Sequence, residues 1–186
     1  MEYEDLKIID EKAAALGALA DGVWEHPETA FTEVVSAGLL ADFLEKEGFA
    51  VTRGVADIPT AFSARYGSGK PVIGLLGEFD ALSGLSQKAG VVQPCPLTEG
   101  GNGHGCGHNL LGVGSLAAAL AVKQYLRRTG ASGTVIYYGC PGEEGGSGKA
   151  FMARSGVFRE LDCALSWHPA ELTNVMQSTT LANIQV

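Results

Sequence analysis

The chain has 186 residues, of which 46% are hydrophobic and 18% charged, a balance that supplies one domain with a real core and excludes a disordered chain. A formal charge of -8 with a pI near 4.9, and basic residues scattered rather than clustered, exclude a nucleic-acid surface and a polybasic membrane contact, because counterion release needs grouped Lys and Arg. The opening MEYEDLKIIDEK is acidic and lacks the basic and apolar regions of a secretory signal, and the apolar run Leu110 to Val122 is too short to cross roughly 30 Å of hydrocarbon. With four cysteines that form no CxxC pair, the expectation is a cytoplasmic protein with reduced thiols.

In chain order, residues 4 to 24 place Leu6, Ile9, Ala13, Leu16, Leu19 and Val23 at helical spacing and predict a first helix. Past Pro27 a second helix is predicted from Thr32 to Glu47, with Val35, Leu39, Leu40, Phe43 and Leu44 on its core face and Gly48 as its stop. Trp24, Phe31, Leu44 and Phe49 are expected in the core, and His26 is expected to be structural. FAVTRGVADIPTAFSARYG alternates as one or two half-buried strands. PVIGLLGEFDAL is a short apolar run ending in acids, which suits a strand buried on both faces.

Residues 84 to 105, rich in Gly, Pro, Ser and Gln, read as a long functional loop. A third helix is predicted from Leu110 to Arg128, with Asn109 as N-cap and Arg127 and Arg128 at the negative end of its dipole. GTVIYYGCP reads as another buried strand, KAFMARSGVF as a short helix and LDCALSWHP as a third buried strand. Strands alternating with helices imply an α/β three-layer architecture.

Three strands thus end in groups able to bind metal or move protons: Glu78 and Asp80, then Glu143 and Glu144, then His168. In open α/β sheets the carboxyl ends of strands line the ligand crevice, so these groups can converge with GHGCGHN. Residues two apart in an extended segment project the same way, which lets Cys106 and His108 approach one ion. A His, Cys and carboxylate set suits Zn(II) and related divalent ions, and an open coordination position leaves room for a reactive water. Of the adjacent acids, one can bind metal while the other handles a proton. Glu78 and Asp80 suit the role of fixing a ligand imidazole. His104 stays open between ligand, imidazole-orienting group and loop tether. GEEGGSGK lacks the spacing of a phosphate loop.

The motifs GEFDAL, GHGCGHN, CPGEEGGSGK and SWHP, in that order, resemble the co-catalytic metallohydrolases of the aminoacylase and carboxypeptidase G superfamily (metallopeptidase family 20), in particular the aminobenzoyl-glutamate hydrolase branch. HPETAFTEVVSAGLLADFLEKEGFAV is similar to that family's N-terminal helices. The resemblance implies an incomplete zinc-exopeptidase-like domain with a mixed, mostly parallel sheet. It makes Cys106, His108, Glu144 and His168 metal ligands and Glu143 the general base, with two divalent ions, Zn or Mn. Asn109 stands where many relatives carry Asp.

The resemblance further implies hydrolysis of a small-molecule amide bearing a free carboxylate, and a homo- or hetero-oligomeric longer form. Residues 1–178 correspond to the N-terminal part of the catalytic domain, and 179–186 to the start of an inserted lid or dimerisation domain. The rival expectations are a metal-binding half that needs a complementary chain for turnover and a redox or metal-storage module using Cys106.

Overall fold

The computed structural model describes residues 2–173 and 175; the expected start of a lid at 179–186 lies outside them. Helices α1 (Tyr3–Glu11) and α2 (Ala13–Trp24) share the stretch read as one helix, parted at Lys12, where the backbone leaves helical geometry. Helix α3 (Val34–Lys46) follows. Its start is held by a side chain several residues upstream: the Glu28 carboxylate accepts the Val35 and Ser36 N–H groups at 3.0 and 2.9 Å, satisfying donors that a helix start leaves open. The buried stripe of α3 is Ser36, Ala37, Leu40, Ala41 and Leu44, so Val35, expected in the core, is exposed instead.

Strands β1 (Ala50–Arg53), β2 (Phe62–Ser68), β3 (Val72–Glu78), β4 (Gly133–Cys140) and β5 (Cys163–Leu165) form one sheet in the order β1-β2-β4-β3-β5. β3 runs parallel to β4 and β5, while β2 is antiparallel to both β1 and β4. Four strands therefore point one way and β2 alone is reversed, which is the mixed, mostly parallel sheet the motifs implied. Helix α4 (His108–Thr129) lies between β3 and β4 in the chain, and α5 (Gly148–Arg154) between β4 and β5.

β4 is buried along its whole length, and its side chains alternate between two cores. Val135 and Tyr137 face the helices α1 to α4 with Leu40, Leu44, Leu116 and Leu120. Ile136, Tyr138 and Cys140 face α5 with Val72 and Met152. These are the three layers. Burying one such Leu contributes about 1.5–3 kcal/mol, and α1 is further locked to α4 by a paired contact in which Arg128 donates to both oxygens of the buried Asp5 at 2.8 and 2.9 Å.

Two further expectations change. β5 is exposed at each residue, not buried: among the described residues it pairs with β3 only, and an apolar run alone does not distinguish an edge from a centre. Phe31 is 38% exposed, because its backbone takes the left-handed region at φ 64° and turns the ring outward onto another loop.

Candidate metal centre

The carboxyl ends of β4, β3 and β5 and the start of α4 meet at one point, which is why groups far apart in sequence share it. His108 is the first residue of α4 and is fully buried. Gly107, with φ 79°, is the N-cap, correcting Asn109 in that role. Asn109 sits inside the helix with its amide directed at the Ala20 carbonyl at 3.5 Å. Cys106 and His108 do come together, but across this left-handed turn instead of along an extended segment; a side chain at position 107 would be strained there.

The His108 ring is held by acids on both sides. Its Nδ1 lies 2.9 Å from Asp80 Oδ1. Its Nε2 is buried with no hydrogen-bond partner among the described residues, although Glu78 Oε2 at 3.2 Å, Glu144 Oε1 at 3.9 Å and Glu143 Oε2 at 4.0 Å surround it. A proton on Nδ1 satisfies Asp80 and leaves a lone pair at Nε2 aimed at the carboxylates. Burial opposes charge on this ring, but the Asp80 hydrogen bond and the Asp80, Glu78 and Glu144 charges outweigh it and raise its pKa.

Asp80 has a second task. Its Oδ2 accepts the Glu144 N–H at 2.8 Å, so one buried carboxylate orients both the imidazole and the acidic loop. Glu78, in contrast, faces Nε2 and is paired on its other oxygen with Lys149 of α5. Burial and the neighbouring Glu78 push the Glu143 carboxyl up. At the remaining side, Cys106 Sγ lies 3.2 Å from His168 Nε2, and burial followed by Glu144 pushes the Cys106 thiol up to about 12.

His168 is set by its neighbours. Trp167 donates from Nε1 to the Leu111 carbonyl at 3.2 Å, and Pro169 lies against Gly107. Among the described residues, two sets bring one donor atom each within 4.8 Å of one another: Cys106, His108 and His168, and Glu78, His108 and Glu143. A buried, unpartnered imidazole nitrogen between a thiol, a second imidazole and carboxylates fits a divalent cation, since it is a donor whose desolvation nothing else offsets.

Glu144 falls outside both sets, and so does His104. Its Nε2 lies 3.0 Å from the Val23 carbonyl, which ties the glycine-rich loop to α2 and is the loop-tether role left open for it. Beside His104 the 84–105 loop and the Trp24–Pro27 segment enclose a hollow of about 580 Å³, lined by Trp24, Pro27, Leu85 and Leu97. Two residues escaped the sequence reading. Lys149 has no signal beyond its place after the acids. Glu33 is fully buried and accepts the Gly142 N–H at 2.8 Å; burial pushes its carboxyl up.

A sheet that gathers acids, imidazoles and a thiol at the carboxyl ends of its strands defines a metallohydrolase-type centre, and residues 74–183 match the model of Peptidase family M20/M25/M40, to which the chain belongs. It is 60% identical over 167 residues to one of the subunits of the p-aminobenzoyl-glutamate hydrolase of Escherichia coli (strain K12), covering 90% of this chain and 35% of that protein. It is 32% identical to the human Xaa-Arg dipeptidase, covering 92% of this chain and 39% of that one. The fold is shared with a dinuclear metal-binding M20 peptidase from Bacillus subtilis, at a TM-score of 0.71 and 24% identity over 84% of this chain and 43% of that one. It is also shared with an aminobenzoyl-glutamate utilization protein from Klebsiella pneumoniae, at 0.62 and 18% over 85% and 44%. The chain spans less than two fifths of the length of these curated relatives.

Proposed function

We propose that this chain supplies the base and most of the metal-holding groups of an amidohydrolase acting on small linear amides: aminobenzoyl-glutamate-like compounds, N-acyl amino acids or dipeptides. The observation that carries the reading is the His108 ring, pinned at Nδ1 by Asp80 and bare at a buried Nε2 facing three carboxylates. Cys106, His108, His168 and Glu144 would hold one or two divalent ions, Zn or Mn. Bound there, such ions supply Lewis-acid polarisation of the scissile carbonyl and a water acidic enough to lose its proton near neutral pH.

The chain's own residues do the remaining work. Glu143 takes the proton of the attacking water on a carboxylate oxygen and returns it to the leaving nitrogen, a transfer served by its raised pKa. Asp80 keeps the imidazole and the Glu144 peptide in register, and Lys149 balances Glu78. The hollow beside His104 offers apolar walls to an acyl or aryl group. Similarity to an aminobenzoyl-glutamate hydrolase and to a dipeptidase supports an amide substrate with a free carboxylate. The first of these relatives is one subunit of its enzyme, which supports assembly with other chains. Four free cysteines fit a cytoplasmic setting.

Turnover of aminobenzoyl-glutamate and a dipeptide panel, with metal content measured alongside, tests this. Glu143→Gln should abolish hydrolysis with metal retained, whereas Glu144→Ala should lose metal; undiminished turnover in Glu143→Gln rejects the assignment. A second reading, that the chain holds metal but needs a complementary chain for turnover, is favoured by the exposed Leu165 and Trp167 next to the site. Activity restored only by adding that chain supports it.

A further inference from the structure

The loop from Pro141 to Ser147 carries Glu143 and Glu144, and a loop of glycines and acids has no intrinsic reason to hold one shape. Three contacts hold it. Asp80 accepts the Glu144 N–H at 2.8 Å. The Gly148 N–H donates to the Gly142 carbonyl at 3.0 Å and closes the loop on itself. From beneath, Glu33 Oε1 accepts the Gly142 N–H at 2.8 Å. The amides of the residues on either side of Glu143 are thus each tied to a buried carboxylate, and Glu143 is presented between them.

The segment bearing Glu33 is shaped to reach this loop. Phe31 adopts φ 64°, a conformation disfavoured for a bulky residue, and its ring covers Gly142 and Gly146 so closely that a Cβ at either would lie 2.9 or 2.8 Å from it. Gly142 itself has φ 62°. Glu33 is fully buried, and besides the Gly142 N–H its carboxylate faces its own backbone N–H, that of Phe31 and the Thr60 hydroxyl. Burying a carboxylate is a cost to folding that its partners must offset; of those partners the Gly142 N–H is the one that belongs to the acidic loop.

We propose that Glu33, seated by the Phe31 turn, is the positioning residue for Glu143, acting through the Gly142 peptide as Asp80 acts through the Glu144 peptide. The role rests on the amidohydrolase reading for its consequence in turnover, but its structural half stands apart from any activity. Groups that react must be held to within about 0.5 Å of their working geometry, and a displacement of about 1 Å can cost about 100-fold in rate.

The test compares Glu33→Gln, which keeps an oxygen acceptor for Gly142, with Glu33→Met, which keeps the length and removes the acceptor. Amide hydrogen exchange is read first, on the chain itself. In Glu33→Met the amides of residues 142–146 should exchange at least about tenfold faster, with those of α4 unchanged, and Glu33→Gln should restore protection. In turnover, Glu33→Met should lower kcat by about 10- to 100-fold with KM and metal content little changed, and Glu33→Gln should recover most of it.

An unaltered Gly142 exchange rate in folded Glu33→Met overturns the proposal, as does a Glu33→Gln protein no better than Glu33→Met. If Glu33→Met does not fold, Glu33→Gln decides: a folded Gln variant must keep Gly142 protected, and free exchange there rejects the role. Loop protection that follows the acceptor while the parent, alone and with a complementary chain added, hydrolyses no amide would reject the amidohydrolase reading and leave the positioning contact standing.

Discussion

Asp80 and His108, 28 residues apart in sequence, share a buried hydrogen bond of 2.9 Å that fixes the imidazole with its second nitrogen toward Glu78, Glu143 and Glu144. The same carboxylate holds the Glu144 N–H. Replacing it with an amide leaves one of these two partners unmatched, since one end of Asn donates where both oxygens of Asp accept. Asp80→Asn should therefore weaken zinc binding by about 10- to 100-fold, read by chelator competition; parental affinity would mean that the ring needs no carboxylate to hold it.

Metal uptake should be coupled to proton release. The Cys106 thiol, pushed up to about 12 by burial and Glu144, carries its proton at neutral pH and must lose it to become a ligand. Affinity should rise with pH between about 6 and 8, and titration calorimetry in buffers of different ionisation enthalpy should count the released protons. Cys106→Ser should lower that count by about one. An unchanged count would remove Cys106 from the ligand set.

How far the sequence reveals this site depends on what each residue's neighbours are. β4 is readable because it is buried on both faces, so its apolar run is unbroken. β5 carries a similar run, and its pairing, with β3 alone among the described residues, leaves it exposed. The convergence of Cys106, His108 and His168 follows from motifs at strand ends, whereas the left-handed turn at Gly107 that brings the first two together needs backbone angles. Glu33 at a helix start reads as an ordinary polar residue; its partner Gly142 is 109 positions away, and periodicity carries no information about such a pair. Glu28 capping α3 and Lys149 on Glu78 escape for the same reason.

Gly114 tests how Trp167 seats His168. A Cβ at Gly114 would collide with the Trp167 ring, yet Ala is favoured over Gly inside a helix by about 1 kcal/mol. Because Trp167 is 42% exposed, the ring can yield outward, so overpacking should cost less than the roughly 1–3 kcal/mol typical of a closed core. Gly114→Ala should leave thermal stability within about 1 kcal/mol of the parent while weakening metal binding through a displaced His168. Unchanged affinity with an unmoved Trp167 emission would show that His168 is held by other means.

The Asp5–Arg128 pair sets an acid limit on stability. The Arg128 guanidinium holds the Asp5 carboxyl down at about 2, below the ordinary value of about 4. A carboxyl with a lowered folded-state pKa stabilises the fold above its unfolded value and loses that contribution as pH falls through the folded one. Thermal unfolding should thus show stability lost from about pH 4 down to about 2. Arg128→Met should lower the melting temperature at neutral pH and flatten this acid limb; an unchanged limb would assign it to other carboxylates.

The most direct test of the metal centre is native mass spectrometry of the chain purified without chelator, beside its His108→Phe and Glu143→Gln variants, each offered zinc or manganese. One or two ions per chain in the parent and in Glu143→Gln, and none retained in His108→Phe, is the predicted result. Ions held equally by His108→Phe, or no ion on any of the three, would contradict a site built around His108.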